Sequence, residues 1–194
     1  ADFFRKFGVK VTFTGHPIRD RVKAETPPQL WREKHQVKEG ERVIALMPGS
    51  RRQEIDTLLP VMLEAAERLV KEYDNLKFFI PLASSIPRDL ILSNLASFSG
   101  EISILEGKKL ARFDRIADFG VIVSGTSTLE AALLGLPVIV LYRVSGISSF
   151  IYHLLRNQEE QKGAPLMIAM PNILAGQMVL PELLQENLNA DRLF

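Results

Sequence analysis

Short runs of apolar, often β-branched residues recur along the chain, at residues 9–13, 43–47, 77–81, 102–105, 119–123 and 138–142. They are apolar throughout instead of alternating, the pattern of strands covered on both faces. Between them the period changes. From 53 to 73, Ile55, Leu58, Leu59, Met62, Leu63, Ala66 and Leu69 recur at three- and four-residue steps and predict a long amphipathic helix. Further helices are predicted at 86–97, where Pro87 suits a first turn, at 110–117, and at 127–134, where Gly135 and Pro137 stop the element. Strand–helix alternation of this kind predicts an α/β fold, a parallel sheet with helices on both faces.

Two regions depart from the alternation. Residues 20–40 carry Pro27-Pro28 and many charges, and read as a connector with one short helix at 29–35. Beyond Arg143, residues Ile147, Phe150, Ile151, Leu154 and Leu155 form an amphipathic stripe, read as core and not as a membrane anchor. A polar loop at 157–163, an apolar turn at 171–176 and a short helix around 181–185 follow. The division this suggests is an entry strand and connector at 1–25 and one domain with C-terminal helices at 26–194. The chain opens at Ala1 and runs straight into Phe3-Phe4-Arg5-Lys6-Phe7, which suggests a piece of a longer protein.

Composition narrows the chemistry. At 194 residues and 46% hydrophobic, the chain can bury one sizeable core. Lys+Arg is 24 and Asp+Glu is 23, so there is no net basic field for nucleic acid, and any anion site must be local. With no Cys, disulfides, thiolate metal sites and Cys nucleophiles are excluded. Three scattered His residues argue against a zinc site. No apolar run approaches the roughly 20 residues of a membrane-spanning helix.

In open α/β sheets ligands bind beyond the carboxyl ends of the strands. Two such junctions stand out. After the 43–47 strand comes Pro48-Gly49-Ser50-Arg51-Arg52-Gln53-Glu54. Gly49 permits close backbone approach, and the helix start offers N–H groups to an anion. A capping box of Ser50 with Gln53 is the plainer reading, but it leaves Arg51 and Arg52 opposing the helix dipole. After the 119–123 strand comes Ser124-Gly125-Thr126-Ser127-Thr128-Leu129-Glu130. Here Ser127 and Glu130 make a capping box, or Gly125 to Ser127 face a phosphate while Glu130, on the same helix face as Thr126, takes a ribose diol. Neither loop is a P-loop or a Gly-x-Gly-x-x-Gly fingerprint. Asn172 and Gln177 flank the apolar turn at 171–176, where spacing alone favours an ordinary Asn turn. His16, His35 and His153 read as structural or surface residues.

Taken in order, Gly15-His16-Pro17, Pro48-Gly49-Ser50-Arg51 with Glu54-Ile55, Ser124-Gly125-Thr126 with Thr128-Leu129-Glu130, Tyr142-Arg143, Pro171-Asn172-Ile173-Leu174-Ala175-Gly176 and Pro181-Glu182-Leu183-Leu184-Gln185 resemble the lipid-A-disaccharide synthase family over nearly the whole chain. The last two segments are the most specific. The resemblance implies one half of a GT-B fold, a Rossmann-like domain that holds the nucleotide sugar. It implies transfer from UDP-2,3-diacylglucosamine to 2,3-diacylglucosamine 1-phosphate, with inversion, a β-1,6 linkage and release of UDP. No metal or other cofactor is implied. The acceptor site and the base are expected on a second domain that this chain lacks, so the chain alone is expected to be inactive.

Residue by residue, the resemblance assigns Gly49, Ser50, Arg51, Ser124, Gly125 and Thr126 to the diphosphate and Glu130 to the ribose. It places Asn172, the catalytic candidate, near the reacting sugar. Acylated substrates imply peripheral contact with the cytoplasmic face of the inner membrane, and a homodimer is possible within the family. Gln177 stands where many relatives carry Arg, and the stretch from 144 to 170 is longer than the family pattern. Other UDP-sugar enzymes of GT-B type, such as a UDP-N-acetylglucosamine 2-epimerase or a lipid II synthase, share the two diphosphate loops but not the Pro-Asn-Ile-Leu-Ala-Gly segment. A nucleotide-binding module without chemistry of its own is the reading from another class.

Overall fold

A computed structural model describes residues 2–12, 14–22, 27–106, 117–144 and 166–194. Its centre is a sheet of six strands: β1 (Arg42–Met47), β2 (Leu76–Leu82), β3 (Ile102–Glu106), β4 (Phe119–Val123), β5 (Val138–Tyr142) and β6 (Glu182–Leu184). Every neighbouring pair is parallel, in the order β3-β2-β1-β4-β5-β6. That is the Rossmann order, with the direction of winding reversed between β1 and β4.

The helices are α1 (Asp2–Arg5), α2 (Ile18–Arg21), α3 (Pro28–Lys34), α4 (Arg52–Glu72), α5 (Arg88–Leu95), α6 (Thr126–Leu134), α7 (Met170–Ala175) and α8 (Ala190–Leu193). Side chains of β1 divide between two apolar clusters. Leu46 joins Ile55, Leu58, Leu59 and Met62 of α4, Ile91 of α5 and Leu193 of α8 on one face. Val43, Ala45 and Met47 join Trp31 of α3 and Ala131 of α6 on the other. This is why the strands carry no polar alternation: both faces are covered. Each fully buried Leu, Ile or Met of the α4 stripe contributes about 1.5–3 kcal/mol.

Five of the six expected strands form. Residues 9–12 do not; they are irregular, follow a turn at Gly8 with φ +72°, and leave Val9 half exposed. The sixth strand comes instead from Glu182–Leu184, where a short helix was expected. Glu-Leu-Leu-Gln is a helix-forming run, but the open edge of β5 offers a ladder, and tertiary pairing overrides the propensity. Val140 pairs with Glu182 and Tyr142 with Leu184, while Pro181, which has no N–H to give, accepts from the Val140 N–H at the strand's entry. Pro87 is the N-cap of α5 and not a first-turn residue. The apolar turn at 171–176 is helix α7, closed by Gly176 at φ +66°. The single turns α1 and α2 carry no periodic signal that would have announced them. Ala117 lies in no helix, and the rest of the helix expected at 110–117, like the stripe at 147–155 and the loop at 157–163, falls outside the described residues. Among the described residues no helix is long and apolar enough to cross a membrane.

Candidate functional site

A cavity of about 740 Å³ opens at the carboxyl ends of β1, β2 and β4. It sits where β1 and β4 part, the switch point at which open α/β sheets take their ligands. Gly49, Ser50 and Arg51 wall one side, Ser124, Gly125, Thr126 and Ser127 another. Leu82 at the end of β2, Ala83 and Ser84 after it, and Met170 at the start of α7 also line it.

The loop after β1 is built around Glu54. Its Oε2 accepts the backbone N–H of Ser50 at 2.9 Å and of Arg51 at 3.2 Å, and its Oε1 accepts Arg51 Nη1 at 2.5 Å. Gly49 makes this possible. It sits at φ +118°, and a Cβ there would lie 2.2 Å from Glu54 Oε2. The Ser50–Gln53 box is therefore not what closes α4: Arg51 is the N-cap and Glu54 the N3 partner. Arg52 likewise faces Asp56, at 3.6 Å. Both cations that oppose the helix dipole thus have a carboxylate beside them. The Arg51 side chain is nevertheless 78% exposed and lies on the cavity wall. Ser85 Oγ donates to the Ser50 carbonyl at 2.7 Å, which ties the β2–α5 loop to this one.

The loop after β4 starts from a fixed strand end, where the Ser124 N–H donates to the Leu141 carbonyl. Ser124 Oγ donates to the Ile168 carbonyl at 3.3 Å. Gly125 is the N-cap of α6 and has no side chain to cap with, so the Ser127–Glu130 box is not the cap either. Thr128 Oγ1 and N–H both donate to the Gly125 carbonyl. A Cβ on Gly125 would meet no atom within 4 Å. Neither φ nor packing demands glycine there, unlike at Gly49. Glu130 lies one turn further along α6, half-buried, and is not on the cavity wall.

Asn172 is not on that wall either. It is wholly buried in α7, two residues past Met170. Its Oδ1 accepts the N–H groups of Val179 and Leu180, both at 2.8 Å. Its Nδ2 donates to the Leu180 carbonyl at 2.8 Å and to Glu182 Oε1 at 2.6 Å, with Met178 Sδ at 3.0 Å. Those bonds use the full donor and acceptor capacity of an amide. The structure thus brings six of the eight expected site residues to one cavity, and leaves Glu130 and Asn172 off its wall.

Sequence reasoning assigned no role to Glu54, Glu182 or Met170. Glu54 was findable, since a carboxylate three residues past an N-cap arginine, behind a glycine, is a capping arrangement. Glu182 was not, because the expected helix hid it. His16 Nδ1 accepts the Ile18 N–H at 3.2 Å and closes a turn. Among the described residues no three His, Asp or Glu side chains gather to hold a metal.

A parallel sheet in the Rossmann order, with its cavity at the switch point between two glycine-bearing loops, places the chain among the Rossmann-like α/β domains. A solved glycosyltransferase from Rickettsia africae has the same fold, with a TM-score of 0.51, at 17% identity over 68% of this chain and 38% of that one. The sequence is more particular: the family model of lipid-A-disaccharide synthetase matches residues 1–193, and the chain belongs to that family. It is 36% identical to the lipid-A-disaccharide synthase of Geobacter sulfurreducens over 98% of this chain and 48% of that protein. The corresponding synthase of Synechocystis is also 36% identical, over 100% of this chain and 48% of the relative. The chain therefore spans about half the length of the curated relatives it matches.

Proposed function

We propose that this chain is the donor-binding half of a glycosyltransferase that makes the lipid A disaccharide, and that its cavity holds the UDP part of UDP-2,3-diacylglucosamine. The observation that carries the reading is the meeting of the Gly49–Ser50–Arg51 and Ser124–Gly125–Thr126 loops at the sheet's switch point. Ser50, Arg51 and Thr126 supply hydroxyl and guanidinium donors to the diphosphate, Ser124 lines it with its one hydroxyl proton held by the Ile168 carbonyl, and Gly49 and Gly125 let it come close to the backbone. Arg51 keeps donors beyond the one Glu54 holds, since a guanidinium has five. Glu130, one helical turn past Thr126, takes the ribose diol. Asn172 acts from behind the Met170 wall and not on the sugar itself.

In the reaction the 6-hydroxyl of 2,3-diacylglucosamine 1-phosphate attacks the donor's anomeric carbon as the bond to UDP breaks. Its proton passes to a base supplied outside this chain. Arg51 and the first turn of α6 then stabilise the charge growing on UDP, electrostatic work that preorganised donors do well. Action at the cytoplasmic face of the inner membrane, on acylated substrates, and a homodimeric parent belong to the same proposal.

The test is calorimetry of this chain with UDP and with uridine. Arg51→Ala is expected to weaken UDP binding by about 1.5–3 kcal/mol, the range for a charge-assisted hydrogen bond, and to leave uridine binding unchanged. Equal UDP affinity in the two proteins would remove Arg51 from the site.

A further inference from the structure

Behind the cavity a carboxylate holds the wall in place. Glu182 stands on β6, whose backbone is locked to β5. Its Oε2 accepts the Ile168 N–H at 3.0 Å, and its Oε1 accepts the Ala169 N–H at 2.9 Å. Oε1 also takes Asn172 Nδ2 at 2.6 Å. Three donors from the entry and first turn of α7 thus converge on one side chain. The next residue, Met170, is on the cavity wall. The carbonyl of Ile168 receives the hydroxyl of Ser124, which is on the wall as well. Asn172 closes the ring by accepting from Val179 and Leu180, just before β6 begins.

We propose that Glu182 is a positioning residue for the donor site: through residues 168–170 it sets where Met170 and the Ser124 hydroxyl stand relative to the diphosphate. The proposal rests on the donor-site reading above. A carboxylate is required because all three groups facing it are donors. Glutamine keeps the shape but turns an NH2 toward at least one N–H, leaving two donors opposed in a partly buried place. The wall segment then shifts, and the diphosphate, held by fixed donors, loses more than the base and ribose do. Removing a carboxylate that only stabilised the fold would weaken all ligands alike.

Three proteins are compared by calorimetry with UDP and uridine, well below their melting temperatures: the unaltered chain, Glu182→Gln and Glu182→Asp. Aspartate keeps an acceptor-only carboxylate one methylene short, opposes no donor, and can be read even if the glutamine variant does not fold. The expected result is a roughly tenfold loss of UDP affinity in Glu182→Gln and a smaller loss in Glu182→Asp, with uridine unchanged in both. Unchanged UDP affinity in the variants, an equal loss for UDP and uridine, or a loss in Glu182→Asp as large as in Glu182→Gln would overturn the positioning role. Absence of UDP binding by the unaltered chain would instead overturn the donor-site reading itself.

Discussion

Two glycines on the cavity wall separate what the backbone requires from what the ligand requires. At Gly49 the left-handed φ of +118° and the 2.2 Å approach to Glu54 Oε2 both forbid a side chain. Gly49→Ala is expected to cost about 1–3 kcal/mol of stability, read as a lowered Tm, whatever the ligand does. At Gly125 nothing in the protein stands within 4 Å of an added Cβ. Gly125→Ala is expected to leave Tm unchanged and to weaken UDP binding on the order of tenfold, or about 1.4 kcal/mol. An alanine variant with full UDP affinity would make Gly125 an ordinary loop residue. The wall residues were legible in the sequence because loops after buried strands must lie at one end of the sheet. The burial of Asn172 was not: its partners, at 178 to 182, come near only once the chain has turned at Gly176.

At the scale of elements, α3 shows how a connector becomes part of the core. A short helix is expected at 29–35 within a charged connector, and one forms over Pro28–Lys34 with Pro28 at its first position. Its Trp31 is buried against the sheet, with Phe79 edge-on at 5.1 Å and His35 stacked at 3.9 Å. That packing lowers the His35 pKa below its ordinary 6.5: burial comes first, then the charges of Lys34 and Lys77. The folded chain therefore takes up this proton less readily than the unfolded one. The contribution to stability is whole above about pH 6.5 and is lost as the pH falls below it toward the depressed folded value. Tm is expected to drop between about pH 7.5 and about pH 5.5, and His35→Gln to make that drop smaller. An identical drop in the variant would show that other groups carry it. The strand β6 teaches the opposite lesson, since its local sequence favours a helix and the free edge of β5 decides otherwise.

For the whole molecule, the order β3-β2-β1-β4-β5-β6 puts the glycine-bearing loops after β1 and β4 on either side of one crevice. In the proposed reaction this chain supplies the donor side alone. It spans about half the length of its curated relatives, and under the proposed function the acceptor site and the base lie outside it. The chain by itself is accordingly expected to bind UDP and to form no disaccharide, because both proximity and proton transfer need the second side of the cleft. Turnover of radiolabelled donor and acceptor by this chain alone would show that the chemistry is complete within it.

The sequence by itself determined the class of fold, five of the six strands, the long helix α4 and the two loops that face the cavity. Those features are written locally: an unbroken apolar run is a doubly covered strand, a three-to-four-residue period is a helix face, and their alternation allows only a parallel sheet. Tertiary structure alone decided that residues 9–12 lie outside the sheet and that 182–184 lie within it, because pairing depends on which edge is open and not on propensity. It also decided the partners of the charges. Arg51 and Arg52 read as unopposed until Glu54 and Asp56 fold back beside them, and Glu182 reads as a helix residue until β6 carries its carboxylate to the entry of α7.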